Sequence, residues 1–330
     1  MNDKIDFVLI WVDGGDTKWQ KERNKYAGKD PEDLADYRYR DWENLKYWFR
    51  GVEKFAPWVN NIYFVTCGHY PKWLNLNHPK LKFIKHEEYI PEEYLPTFNS
   101  HTIELNLHRI KGLSDKFVYF NDDMFLTDSV EKVDFFVNSI PKLMAGLDAI
   151  AMTDEMFGHI LLNNTQLINR HFDKDQVLKN NWKKWYYSGY GMKNLIKTFF
   201  LSNYCCFTSL INPHIPVPLL KNTFEELWQK EKGILDKTSK DKFRCADNVN
   251  QYIFSWYEIA KGNFIPIKNS FGNYYKITQN NKKIIEAIKN KKQKLLCLND
   301  TSNDFDFEKA KQEIIGAFET ILPEKSSFEL

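Results

Sequence analysis

Apolar residues along this chain gather in short runs, and three of those runs stop abruptly in acidic or amide side chains. They are Ile5 to Val12, interrupted by Asp6 and followed by Asp13-Gly14; Phe117 to Phe120 before Asn121-Asp122-Asp123; and Leu295 to Leu298 before Asn299-Asp300. Runs of that length, rich in β-branched and aromatic residues, predict buried strands of a largely parallel sheet. Open sheets bind ligands at the carboxyl ends of their strands, so three ends carrying oxygen ligands are expected to meet around one divalent cation.

Between the runs the period changes. Trp42, Leu45, Trp48, Phe49 and Val52 recur at helical spacing, predicting a helix from Asp41 to about Phe55 that Pro57 closes, after a shorter one from Asp16 to about Tyr26. Short strands are expected at Asn61 to Thr66 and Leu81 to Ile84, a helix from Asn99 to about Ile110, and a strand at Lys116 to Phe120 before the acidic turn. From about Asp128 to Asn212 the rhythm is lost and Asn, Lys and aromatics dominate, which predicts an inserted helical lobe or lid. Order returns with helices near Leu219 to Glu231 and Asp247 to Lys261, strands at Asn263 to Ile267 and at Leu295, and a helix from Phe307 to about Ile321. The expected fold is α/β and Rossmann-like: a mostly parallel sheet flanked by helices in residues 1–127, a lobe in 128–212, and residues 213–330 completing the same domain.

Composition narrows the class. With 330 residues, 43% hydrophobic and 27% charged, the chain reads as an ordinary globular protein with a sizeable core. Lys and Arg number 46 against 44 Asp and Glu, so no polyanion-binding signal appears and nucleic acid is not an expected partner. The five cysteines, Cys67, Cys205, Cys206, Cys245 and Cys297, show no zinc-finger spacing and no disulfide framework, which fits a reduced, cytoplasmic setting. No segment has the basic start of a secretory signal or the roughly 20 apolar residues of a membrane span.

Asn121-Asp122-Asp123 supplies the hard oxygen donors that Mg²⁺ (or Mn²⁺) prefers, although Asn and Asp also mark ordinary turns because they hydrogen-bond their own backbone. His214, between prolines in Asn212-Pro213-His214-Ile215-Pro216-Val217-Pro218, would on its own read as a structural histidine.

Four ordered blocks carry a resemblance. The run from Ile5 to Gly14, the block Arg38-Tyr39-Arg40-Asp41 to Trp48-Phe49-Arg50, the stretch from Tyr94 through Asn99-Ser100-His101 and His108-Arg109 to Asp123, and the closing Cys297-Leu298-Asn299-Asp300 resemble the conserved regions of the Stealth family. That family comprises bacterial capsular polysaccharide phosphotransferases and the catalytic subunit of the lysosomal-enzyme N-acetylglucosamine-1-phosphotransferase. The likeness extends over His214 to about Tyr257 and Cys297 to Glu329, but not to 128–212. Val217-Pro218 stands where some relatives carry a second His, so a second imidazole is absent here.

The resemblance implies a glycosyltransferase-A-like sheet in which residues 1–127 bind a UDP-sugar donor and 213–330 supply catalytic groups. Its reaction moves a sugar-1-phosphate, with N-acetylhexosamines favoured, to a hydroxyl of an oligo- or polysaccharide acceptor, lipid-linked in some cases, and releases UMP. Such phosphoryl transfer needs charge neutralisation, positioning and a base. The implied cation ligands are Asp122, Asp123, Asn299 and Asp300. The implied catalytic groups are His214 as general base, with a covalent phosphohistidine as a variant, Arg244 as charge stabiliser, and Asp247, opening a helix, to orient Arg244, His214 or the acceptor. Donor contacts are expected from Trp11, Asp13, Gly14, Arg38, Asn99, Ser100, His101 and Asn121, whereas Arg50 reads equally as a solvated helix face. Trp182-Lys183-Lys184-Trp185-Tyr186-Tyr187 and the residues after it read as a packed cluster, a sugar platform or a peripheral contact at the inner face of the membrane. The alternatives are a metal-dependent glycosyltransferase releasing UDP, and a carbohydrate-binding protein without chemistry.

Overall fold

The computed structural model describes residues 4–27, 40–152 and 155–330. Its strands are β1 (Asp6–Ile10), β2 (Ile62–Thr66), β3 (Leu81–Lys85), β4 (Lys116–Phe120), β5 (Met124–Leu126), β6 (Phe136–Val137), β7 (Ile140–Leu143), β8 (Val217–Leu220), β9 (Ile265–Pro266), β10 (Gly272–Lys276) and β11 (Leu295–Asn299). The helices begin with α1 (Thr17–Tyr26), α2 (Leu45–Phe55), α3 (Ser100–Leu105), α4 (Lys132–Phe135), α5 (Glu155–His171), α6 (Lys174–Trp185) and α7 (Met192–Leu201). They continue with α8 (Lys221–Lys230), α9 (Lys232–Lys240), α10 (Tyr252–Lys261), α11 (Lys282–Lys289) and α12 (Phe307–Ile321).

The central sheet has the order β3-β2-β1-β4-β8, parallel except for β8 at its edge. Both faces are covered over the inner strands, so β1, β2 and β4 are nearly continuous apolar runs, whereas β3 at the edge carries Lys82 and Lys85. Phe7 and Leu9 of β1, with Val118 and Phe120 of β4, pack on one side against Trp48 and Phe49 of α2 and Phe318 of α12. Val8, Phe117 and Tyr119 point the other way, into a core with Phe224 of α8 and Phe254 of α10. Burying each such side chain stabilises the fold by roughly 1.5–3 kcal/mol.

The α/β, mostly parallel, Rossmann-like expectation holds, with local corrections. β11 was expected in the main sheet; it lies instead in a second sheet of order β10-β11-β5, antiparallel to β5 with Cys297 opposite Met124. The outer edge of β4 is occupied by β8, so after the acidic turn the chain peels away as β5 and recruits β11. Leu219 and Leu220, expected in a helix, are strand residues because β4 needs an edge partner, and α8 begins only at Lys221. The helix expected from Asn99 to Ile110 stops at Leu105. Asn106 turns its amide back to Thr102 O at 2.8 Å and a single 3₁₀ turn follows, a short polar side chain competing with the backbone ladder. Residues 128–212 hold α5, α6 and α7 but also β6 and β7. No helix among the described residues is long and apolar enough to cross a membrane.

Arg50 is not a solvated face. It is 7% exposed, with Nε and Nη2 donating to the two Glu329 carboxylate oxygens at 2.8 and 2.9 Å and Nη1 to Leu322 O at 2.9 Å. This fork ties α2 to the C-terminal segment. Arg50→Ala strands a buried carboxylate and is expected to cost about 3–5 kcal/mol in urea unfolding; a loss under about 1 kcal/mol would show the pair to be dispensable.

Candidate active site

β1 ends in a shaped loop. Trp11 stacks on Phe64 at 5.7 Å between ring centroids, and the Gly15 N–H donates to Asp13 Oδ1 at 2.9 Å. The Asp13 N–H donates to Nε2 of His69, whose Nδ1 lies 3.4 Å from Asp16 Oδ2. Burial lowers the pKa of His69, so its neutral ring can accept at Nε2 and present Nδ1–H to Asp16, clamping the loop. Gly14 O accepts from Gln20 Nε2 at 2.6 Å. His69 was not anticipated; no spacing rule links residues on adjacent strands' loops.

The acidic turn joins β4 to β5. Asp122 is open to solvent, yet surrounding protein first and the Asp123 carboxylate second push its carboxyl up to about 7. Burial likewise raises the Asp123 pKa, against the pull of His214. The Leu298 N–H donates to Asp123 O at 2.8 Å, which brings the end of β11, and with it Asn299, beside the turn. Burial and Asp123 hold the Cys297 thiol well above its ordinary pKa, and its S–H donates to Asp123 Oδ2 at 3.2 Å. Asp123 Oδ1 is buried with no hydrogen-bond partner among the described residues. Asp300 faces the guanidinium of Arg40, with Nε at 3.9 Å.

His214 enters this cluster from the loop before β8. A ligand atom of Asp123, His214 and Cys297 each lies within 4.8 Å of the others. His214 takes a φ of +46°, a left-handed conformation unusual for a non-glycine residue, fixed by its N–H donating to Asn212 Oδ1 at 3.1 Å. Its Nδ1 is 2.7 Å from the Tyr252 hydroxyl, and no hydrogen bond occupies Nε2 among the described residues. Burial keeps the Tyr252 phenol protonated.

Arg244 is reached through α3. Its Nη2 donates to Ser100 Oγ at 2.7 Å, and its charge acts on Glu104, one helical turn after Ser100. Burial nevertheless pushes the Glu104 carboxyl up to about 7. The Tyr119 hydroxyl hydrogen-bonds Glu104 Oε1 at 3.0 Å and also meets Asn121 Oδ1, connecting the Arg244 side of the site to the acidic turn. Ser100 and Glu104 share an i, i+4 face that the sequence displayed; Tyr119 and Tyr252 gave no signal beyond being aromatic.

Three expected contacts differ. Asn99 is fully buried and its amide is spent on the fold: Oδ1 caps α3 at the His101 N–H, while Nδ2 donates to Asn248 Oδ1 at 2.9 Å and Phe243 O at 3.2 Å. It shapes the Arg244 loop rather than meeting a ligand. His101 is 4% exposed, which leaves its side chain little surface to meet a donor. Asp247 neither opens a helix nor bonds Arg244 or His214; it is exposed and paired with Lys237 Nζ at 2.7 Å, while α10 starts at Tyr252. Residues 248 to 251 cannot join that helix because Asn248 and Asn250 hold them in turns, Asn248 Oδ1 accepting from the Cys245 N–H and Asn250 Oδ1 from the Tyr252 N–H. Arg38 lies outside the described residues.

Two family descriptions match: Stealth protein CR1, conserved region 1, over residues 3–31, and Stealth protein CR2, conserved region 2, over 38–143. The capsular polysaccharide phosphotransferase WcwK of Streptococcus pneumoniae is 42% identical over 330 residues, covering 99% of this chain and 98% of its own. The receptor polysaccharide phosphotransferase WefC of Streptococcus gordonii is 38% identical with all of both chains covered. The exopolysaccharide phosphotransferase cps2G of Lactiplantibacillus plantarum is 38% identical over 98% of this chain and 96% of its own. Likeness of this extent from end to end makes the chain a member of the Stealth family and a phosphotransferase.

Proposed function

We propose that this enzyme transfers a sugar-1-phosphate, an N-acetylhexosamine-1-phosphate by preference, from a UDP-sugar to an acceptor glycan hydroxyl in capsule or exopolysaccharide synthesis, forming a phosphodiester and releasing UMP. The observation that carries this reading is the meeting of Asp123, His214 and Cys297 within 4.8 Å. The names of its relatives supply the polysaccharide context.

In this reading Nε2 of His214 removes the proton of the acceptor hydroxyl as its oxygen attacks the β-phosphorus. The bond from that phosphorus to the α–β bridging oxygen breaks, and the oxygen leaves with UMP. Arg244, braced by Ser100, forks across the phosphate oxygens as charge spreads over them. The Trp11–Gly15 loop receives the uridine. The buried, unpartnered Asp123 Oδ1 is an oxygen donor that suits Mg²⁺ or Mn²⁺; Asp122 on the same turn and Asn299 at the adjoining strand end would complete an oxygen set with it, and Asp300 would contribute after release from Arg40. When bound, that cation neutralises the diphosphate. Because the Asp122 carboxyl sits at about 7 and must ionise to bind a cation, affinity for Mg²⁺ is expected to rise as pH increases through that value in calorimetric titrations.

With Nε2 as the base, Nδ1–H donates to the Tyr252 oxygen, which holds the ring in place. Tyr252→Phe is expected to lower kcat about tenfold with little change in KM, because the imidazole loses the partner that holds it in place. An unchanged kcat would show that the hydroxyl only fills space. The reaction itself is tested by incubating the protein with UDP-sugars, Mg²⁺ and oligosaccharide acceptors. Phosphorus NMR should show a new diester resonance together with UMP, and UDP as the nucleotide product would refute the assignment.

A further inference from the structure

The lobe exposes an apolar surface that the chemistry does not use. On α7, Met192, Ile196, Phe199 and Phe200 recur at helical spacing and point outward, 72%, 48%, 60% and 66% exposed, while Thr198 on the opposite face is buried. Tyr186, at the end of α6, lines the same groove as Ile196, Phe199 and Phe200, and Trp182, one turn earlier, is 58% exposed. Single exposed apolar residues need no explanation, but a contiguous aromatic face does.

Charge selects the occupant. From Gln176 to Phe224 there are six lysines and no Asp or Glu, although the whole chain carries a net charge of only +2. Lys179 and Lys183 on α6 and Lys193 on α7 are exposed, with Lys183 Nζ 5.8 Å from the centre of the Trp182 ring; Lys197 is paired with Asp148, which lies outside that stretch. A second copy of the chain would bring like charges together across such a face. An anionic surface would not.

We propose that α6 and α7 dock this enzyme on an anionic phospholipid bilayer, with Phe199, Phe200 and Trp182 entering the headgroup boundary and the lysines meeting lipid phosphates. Docking requires no turnover, so it stands or falls apart from the reaction assigned above.

The test is sedimentation of the full chain with phosphatidylglycerol vesicles and with phosphatidylcholine vesicles, in the absence of substrate. The protein should pellet with the former and stay largely in solution with the latter. Phe199→Ser with Phe200→Ser should weaken partition about tenfold or more without changing the unfolding midpoint or turnover of a water-soluble acceptor. Lys179→Gln, Lys183→Gln and Lys193→Gln together should remove the preference for the anionic lipid. Failure of the intact protein to bind phosphatidylglycerol vesicles would overturn the proposal. So would undiminished binding by the Phe variant, or a dimer in ultracentrifugation that the Phe variant abolishes while lipid binding is absent.

Discussion

His214→Ala is expected to lower kcat by roughly a hundredfold or more, the usual cost of removing a general base. The substitution leaves Asp122, Asp123 and Arg244 in place, so donor and cation binding should survive, and KM for the donor should change little. Two structural effects must be separated from the chemical one. Alanine at a φ of +46° carries backbone strain, and Asp123 loses the nearby imidazole that opposes the rise of its pKa. His214→Asn controls for the first, since asparagine tolerates the left-handed region, and it should be as inactive as the alanine variant. Partial rescue of His214→Ala by added imidazole, measured by single-turnover kinetics, would tie the loss to the missing base. Full activity in either variant would remove His214 from the reaction.

Arg244→Ala is expected to lower kcat by about a hundred- to a thousandfold, since it withdraws positive charge from the phosphate oxygens when they need it most. Lysine should recover little of this: an ammonium cannot both fork across two oxygens and keep the 2.7 Å bond to Ser100 Oγ. Removing the guanidinium also takes away the charge that holds the Glu104 carboxyl down, so that buried acid becomes still harder to ionise. Ser100→Ala is the milder companion, lowering kcat several-fold by loosening the guanidinium without deleting it. If Arg244→Ala raised only donor KM, the residue would serve ground-state binding instead.

The parts legible in the sequence are those where local pattern and tertiary role agree. β1, β4 and β11 are apolar because both sheet faces are covered, and α12 spans Phe307–Ile321 as its periodicity implies. The acidic turn was legible because a buried strand ends there in three consecutive oxygen donors, although such residues serve ordinary turns as well. Pairing partners were not legible. Val217–Leu220 is apolar enough for either helix or strand, and only the open edge of β4 decides. Asn99 and Asp247 looked functional because short polar side chains near helix starts serve both caps and ligands. One proved to be a buried cross-link and the other a surface ion pair. Tyr252 and His69 matter through contacts with residues 38 and 56 positions away, which no sequence periodicity encodes.

Turnover of a UDP-sugar radiolabelled at the β-phosphorus would decide most directly which bond is broken. If His214 directs the acceptor hydroxyl at that phosphorus, the label passes into the acceptor glycan as a diester resistant to phosphomonoesterase, and unlabelled UMP accumulates in equal amount. Label remaining with uridine as UDP, while the sugar alone moves to the acceptor, would contradict the account.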